Sequence, residues 1–450
     1  MTSLKRKIDL SLKEHFLKSN TALLIEGARQ IGKTYSIREF GKQYKSFIEI
    51  NFIERTDANR LFRNLSSAKD LLARLSLITT KPLLKGETLI FFDEVQECPE
   101  IVSYIKFLVE DGSFHYILSG SLLGVELNNL RSAPVGYLTV KRMYPLSIEE
   151  FFSNLGVNEN IISKLKSAWD NLGPVDEFVH QKMMELFRLY LVIGGMPAAV
   201  KKYIETNNLQ EVLEVQRQIV NLYKKDISKY DAKNKLSIIE VFNLIAPELN
   251  NQNKRFIMKS LGDHIKFDRY ENSFLWLKDA GVAIPVYNAD KLKIPLVLSK
   301  SRSLFKLFLN DIGLLACEYS QGIQLKILNG DKNINFGSIF ENAIAQELLS
   351  KDYDLYYYNN KKKGELDFVV EYAGKILPIE VKSGKDYKIH RALSNVIHDE
   401  EYQIDKAIIF NNDNLQRDGK KIYAPIYMAM FLNKPEDTPA FFKVDLSGLN

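Results

Sequence analysis

Apolar positions fall along this chain in more than one rhythm, and each rhythm predicts a different element. The mostly apolar runs Ala22-Leu23-Leu24-Ile25, Thr88-Leu89-Ile90-Phe91-Phe92 and Phe114-His115-Tyr116-Ile117-Leu118 read as strands buried on both faces. Between them, Tyr35-Ser36-Ile37-Arg38-Glu39-Phe40 and the segment opened by Pro99-Glu100, apolar at Ile101, Val102, Tyr104, Ile105, Phe107 and Leu108, read as helices. Strands alternating with helices predict a parallel sheet in an α/β fold. Apolar residues then recur at spacings of three and four over 175–190, 209–225 and 236–245, which predicts helices, the second ending in the mixed-charge stretch Asp226-Ile227-Ser228-Lys229-Tyr230. Beyond Lys254 the rhythm changes. Helices are expected near Phe256 and over Phe274-Leu275-Trp276-Leu277, a turn at Asp279-Ala280-Gly281, and strands at Val282-Ala283-Ile284-Pro285-Val286-Tyr287 and Pro295-Leu296-Val297-Leu298. Further on, Gly337-Ser338-Ile339-Phe340-Glu341-Asn342 opens a helix, and Gly364-Glu365-Leu366-Asp367-Phe368-Val369-Val370 and Leu377-Pro378-Ile379-Glu380-Val381-Lys382 read as strands.

Composition narrows the class without naming a function. A chain of 450 residues is too long for one core, and its 46% hydrophobic and 26% charged content is that of an ordinary globular protein. No run of about 18 uncharged apolar residues is present, and Lys5, Arg6, Lys7 and Asp9 bring charge too early for a secretory leader, so no membrane and a cytoplasmic location are expected. Cys98 and Cys317 are the only cysteines and none of the six histidines has H-x-x-x-H spacing, which argues against a disulfide framework or a structural zinc site. A net charge of +5 permits a nucleic-acid partner without arguing for one.

Candidate chemistry changes the picture more. Gly27-Ala28-Arg29-Gln30-Ile31-Gly32-Lys33-Thr34 fits the G-x-x-x-x-G-K-[ST] phosphate loop and lies between a predicted strand and a predicted helix, as that loop requires. Successive backbone N–H groups would face the phosphates of ATP at a helix N-terminus, Lys33 would reach the β- and γ-phosphates, and Thr34 would join a Mg²⁺ shell. The second strand run ends in Asp93-Glu94, a Walker B pattern: Asp93 would hold Mg²⁺ through its water shell and Glu94 would act as general base on the attacking water. The third strand run ends in Ser119-Gly120-Ser121.

These motifs, with Phe91-Phe92-Asp93-Glu94-Val95-Gln96-Glu97-Cys98-Pro99, Leu118-Ser119-Gly120-Ser121-Leu122-Leu123-Gly124-Val125, the segment from Met143 to Phe151 and Gly194-Gly195-Met196-Pro197, resemble the prokaryotic AAA+-superfamily ATPases that carry a C-terminal domain of unknown function. The resemblance implies that Ser119 or Ser121 senses the γ-phosphate; a helix cap or turn hydroxyl is the other reading of both. Gly136 is followed here by Tyr137 where similar proteins often carry a basic residue, so an arginine finger is left unassigned, with Arg131 and Arg142 as alternatives to ordinary surface charges.

A second constellation lies near the C-terminus. By the alternation of a strand, Glu380 and Lys382 share one side, and with Asp367 they make two acids and a lysine able to collect a divalent cation and a water. The order resembles the PD-(D/E)xK nuclease superfamily, which implies Mg²⁺ on Asp367 and Glu380, water activation by Lys382, a supporting Glu341 and an outer Glu365. An ordinary half-exposed strand would read the same way. Lys361, Lys362, Lys363, Lys385, Lys388 and Arg391 could track phosphates or be a loop of solvated lysines.

The expected organisation is an AAA+-type P-loop ATPase core over 1–155, a helical lid over 156–250, a winged-helix-like segment over 251–325 and a restriction-endonuclease-like α/β domain over 326–450. The expected partners are ATP and DNA, with a protein partner as the rival, and a homo-oligomer is allowed.

Overall fold

The computed structural model describes residues 3–435 apart from 63–64, 66, 122–135, 231–233, 252, 320–321, 332–335 and 385–387, so Arg131 and Lys385 lie outside the described residues. The N-terminal sheet contains β1 (Ala22–Glu26), β2 (Ser46–Asn51), β3 (Thr88–Asp93), β4 (His115–Ser119) and β5 (Leu138–Arg142), all parallel in the order β2-β3-β4-β1-β5. Alternation explains why the central strands are apolar at nearly every position. Leu23, Ile25, Leu89, Phe91 and Ile117 enter one core cluster, while Ala22, Leu24, Ile90, Phe92, Tyr116 and Leu118 enter the other. Helices α1 (Lys7–Lys18) and α2 (Lys33–Gly41) supply Leu12, Ile37 and Phe40 to the first face; α3 (Ala68–Ile78) and α4 (Glu100–Asp111) supply Leu71, Leu75, Ile101, Ile105 and Leu108 to the second.

A run of helices follows: α5 (Ile148–Asn154), α6 (Glu159–Asn171), α7 (Glu177–Ile193), α8 (Pro197–Thr206), α9 (Leu209–Tyr230), α10 (Lys235–Asn250) and α11 (Glu271–Asp279). Ser147 opens α5 with a capping box, its hydroxyl accepting from the Glu150 N–H while the Glu150 carboxylate accepts from the Ser147 N–H. Among the described residues no single helix is long and apolar enough to cross a membrane; α7 and α8 pass that test only as a pair bent by 119°.

The C-terminal half is built on one eight-stranded sheet. Its strands are β6 (Ala283–Ala289), β7 (Lys300–Leu309), β8 (Tyr356–Asn360), β9 (Gly364–Tyr372), β10 (Lys375–Val381), β11 (Ala407–Asn411), β12 (Gln416–Asp418) and β13 (Lys421–Pro425), in the order β12-β13-β11-β10-β9-β8-β6-β7. Helices α12 (Ile312–Glu318), α13 (Ile323–Leu328), α14 (Phe336–Leu349) and α15 (Arg391–Ile397) complete it. Residues 338–348 of α14 are all buried, and Ser338, Glu341, Asn342, Gln346 and Glu347 among them are polar side chains that need partners inside the fold.

Two expectations are revised here. Pro295 to Leu298 is not a strand: Leu296–Ser299 forms a 3₁₀ turn, and the strand begins at Lys300. The β6–β7 hairpin does not stand apart as a wing either, because β6 pairs parallel with β8 through Tyr287–Tyr356 and Ala289–Tyr358. One sheet therefore runs across the boundary expected near 325.

Candidate functional site

β1 ends directly in the phosphate loop. Gly27 has φ 144°, and a Cβ there would lie 2.3 Å from the Met143 carbonyl oxygen, so the close approach of the β5 end requires glycine. Gln30 takes a left-handed φ of 67° before α2 begins at Lys33. The Lys33 ammonium donates to the Gly27 and Ala28 carbonyls, each at 2.9 Å. Burial pulls its pKa down to about 8, against the upward influence of Glu94 and Asp93.

Neighbouring parallel strands bring the remaining expected residues to the same edge. Thr34 Oγ1 donates to Asp93 Oδ2 at 3.0 Å, and Ser119 Oγ donates to Asp93 Oδ1 at 2.5 Å. Burial raises Asp93, and the Ser119 bond partly offsets it. Glu94 has a left-handed φ of 56°, and its Oε2 accepts from Gln96 Nε2 at 2.6 Å and from the Ser121 N–H and hydroxyl at 3.3 and 3.0 Å. Burial pushes Glu94 up, but the bonds from Gln96 and Ser121 together with Lys33 outweigh it and hold the carboxyl below its usual value. All three bonds converge on Oε2. Both serine hydroxyls thus engage the Walker B acids. The hard oxygen pair of Thr34 and Asp93 fits Mg²⁺.

Sequence reasoning missed the residues that close around this loop. Asn51, at the end of β2, donates to Asp93 Oδ2 at 3.3 Å. Arg6 donates to the carbonyls of Ile31 at 3.0 Å and Tyr144 at 2.6 Å and pairs with Glu150 at 3.1 Å. On the outer side Arg29 pairs with Asp226 of α9, and the Tyr223 hydroxyl donates to the Arg29 carbonyl at 3.2 Å. Asn310, just after β7, donates to that same hydroxyl at 3.3 Å. Arg142, an alternative for the arginine finger, pairs instead with Glu26 of β1 at 2.5 Å.

Near the C-terminus the structure does gather Glu341, Glu365, Asp367, Glu380 and Lys382, and it adds an unforeseen Lys306. This lysine is 1% exposed. Its ammonium lies 3.0 Å from Glu365 Oε1, 3.3 Å from Glu341 Oε2 and 3.8 Å from Asp367 Oδ1. Lys254 also pairs with Glu341, Arg255 with Glu365 at 2.6 Å, and Lys382 with Glu380 at 3.1 Å. Burial pulls the Lys306 pKa down, but Glu341, Asp367 and Glu365 outweigh it and hold it above the usual lysine value. Burial raises Glu380, with Asp367 adding to it, whereas Lys306, Lys254 and Lys382 keep Asp367 low despite its own burial. The divalent ion expected on Asp367 and Glu380 thus meets an already compensated site, and among the described residues no group of three or more His, Cys, Asp or Glu is placed to hold a metal. The available signal was a lone lysine inside Phe305-Lys306-Leu307-Phe308-Leu309.

The first of these two sites lies within a segment that matches a known family. Residues 19–152 match a family model described as an AAA domain, and 184–323 and 336–429 match two described as domains of unknown function (DUF8612 and DUF4143). No curated protein matches the chain. Among solved structures, the Walker-type ATPase PABY2304 of Pyrococcus abyssi is 15% identical at a TM-score of 0.44, with 70% of this chain and 96% of that one covered. Cdc6p from Pyrobaculum aerophilum is 13% identical at a TM-score of 0.24, with 72% and 92% covered. The chain carries an AAA domain, and the protein is an ATPase.

Proposed function

We propose that the protein is a DNA-associated switch in which MgATP at the phosphate loop alters the C-terminal sheet. In this reading Lys33 holds the β- and γ-phosphates, Thr34 and Asp93 hold Mg²⁺, Ser119 reports the γ-phosphate through Asp93, and Glu94 positions the water. The single observation that carries the switch is the contact line from Arg29 through Tyr223 to Asn310. It joins the phosphate loop to the end of β7. A nucleotide that reorders Arg29 changes what Asp226 and Tyr223 can hold, and so biases the sheet to which β7 belongs. Gly281, at the turn into β6, adds a second contact: a Cβ there would lie 3.1 Å from the Ala28 nitrogen.

We further propose that this sheet and α14 form a nuclease-like domain that engages duplex DNA, a reading supported by the exposed Lys361 and Lys362 beside β9. The compensated acid cluster favours a second reading, in which the same domain is degenerate and docks a protein partner.

Hydrogen exchange tests the coupling. Glu94→Gln should bind ATP but slow hydrolysis by about 10²-fold or more, which holds the bound state long enough to measure. MgATP is then expected to change exchange over 283–289 and 300–310 in Glu94→Gln, to do nothing in Lys33→Ala, and to do at most half as much in Asp226→Ala. Identical exchange with and without MgATP would rule the switch out.

A further inference from the structure

The nuclease-like reading of the C-terminal domain implies a divalent ion, and the charges gathered around the acid cluster resist one. Four cationic side chains, Lys254, Arg255, Lys306 and Lys382, are paired with the four carboxylates Glu341, Glu365, Asp367 and Glu380. Three of those cations reach in from the partly exposed rim; Lys306 does not. Its ammonium is within 4 Å of three carboxylates that come from α14 and β9, which is the central position of the cluster. Asp367 is further fixed by a neutral partner, since the Val381 N–H donates to its Oδ2 at 2.8 Å. An ion of charge +2 entering here would sit against the buried Lys306 ammonium, where like charges repel more than in water.

We propose that Lys306 is the resident cation of this site, standing among Glu341, Glu365 and Asp367 in the place of a divalent metal, so that the site binds no metal and cuts no phosphodiester. The proposal rests on the nuclease-like reading above. It explains why a lysine can stay charged inside a strand that is otherwise apolar from Phe305 to Leu309: the carboxylates that would have required a metal require Lys306 instead. The same ammonium ties β7 to α14 and β9. It therefore makes the hairpin a structural part of the site, and no solution ion is needed to hold the elements together.

The experiment uses the full chain without nucleotide and Mn²⁺ as the probe, read by electron paramagnetic resonance and by thermal midpoint. Wild type should show no Mn²⁺ binding that depends on Asp367 at 1 mM, roughly the ceiling for a physiological oxygen site, and no change in midpoint with Mn²⁺. Lys306→Gln should acquire a Mn²⁺ site at least about tenfold tighter than that ceiling and a midpoint that rises with Mn²⁺; the added change Asp367→Asn should abolish both. Asp367-dependent binding in wild type overturns the proposal and leaves the nuclease-like reading standing. Failure of Lys306→Gln to gain the ion overturns both. If Lys306→Gln does not fold, the charge-balanced pair Lys306→Gln/Glu341→Gln takes its place, keeping Glu365, Asp367 and Glu380 for the ion.

Discussion

Lys33 carries a pH dependence that follows from its burial. In the free protein its pKa lies at about 8, below the usual lysine value, so the ammonium loses its proton as the pH rises through 8. The phosphates of ATP favour the charged form. Binding therefore weakens with rising pH, by roughly tenfold per unit above 8, or ~1.4 kcal/mol, and takes up protons as it does so. Calorimetry in two buffers of different ionisation enthalpy should find proton uptake approaching about one per ATP at pH 9; no uptake there would mean that Lys33 stays charged in the free site. At this scale the sequence was informative where chemistry is written in consecutive letters. The phosphate loop and Asp93-Glu94 could be read directly, whereas Asn51, Asp226 and Lys306 could not, because each meets its partner only through the fold.

Among the elements, the junction after α7 is the tightest point outside the nucleotide site. The Gly195 N–H donates to Asp311 Oδ2 at 2.6 Å, the Leu146 N–H donates to the Gly195 carbonyl at 2.7 Å, and a Cβ on Gly195 would lie 2.2 Å from the Leu146 carbonyl oxygen. Backbone surrounds the position and cannot swing aside. Gly195→Ala should destabilise the protein by about 1–3 kcal/mol, visible as a lower thermal midpoint. Gly173→Ala, where a Cβ meets open space, serves as the control and should change it little. The motif Gly194-Gly195-Met196-Pro197 was visible in the sequence, but its reason was not. The same holds for the hairpin: the apolar pattern predicted β6, yet Val297 and Leu298, apolar and strand-like by sequence, are exposed in a turn. Alternation shows that one face of a segment is apolar; it does not say whether the partner strand is the next one in the chain.

On the scale of the whole molecule, a net charge of +5 is too small for long-range attraction to DNA, so any affinity must come from local cations. Lys361 and Lys362 are exposed, whereas Lys363 is paired with Asp399 and lies 4.1 Å from the Tyr402 ring centre. A footprint of about four to six phosphates would lose two to three decades of affinity between 50 and 200 mM salt. Replacing Lys361, Lys362 and Lys363 together should reduce that slope in fluorescence anisotropy with a labelled duplex, most of the loss coming from the first two. Binding indifferent to salt and to this variant would favour the protein-partner reading.

The parallel pairing of β6 with β8 also has a bearing on how the chain is made. Roughly 70 residues separate these two strands, so during synthesis β6 and β7 emerge as a hairpin whose inner edge has no partner until β8 follows. For that interval the N-terminal sheet can already be complete while the hairpin presents unpaired N–H and C=O groups to other nascent chains. A ribosome that stalls, or a gene that stops, between Leu309 and Tyr356 would leave that edge open for good. A chain cut between these two strands would therefore release a fragment with an open sheet edge.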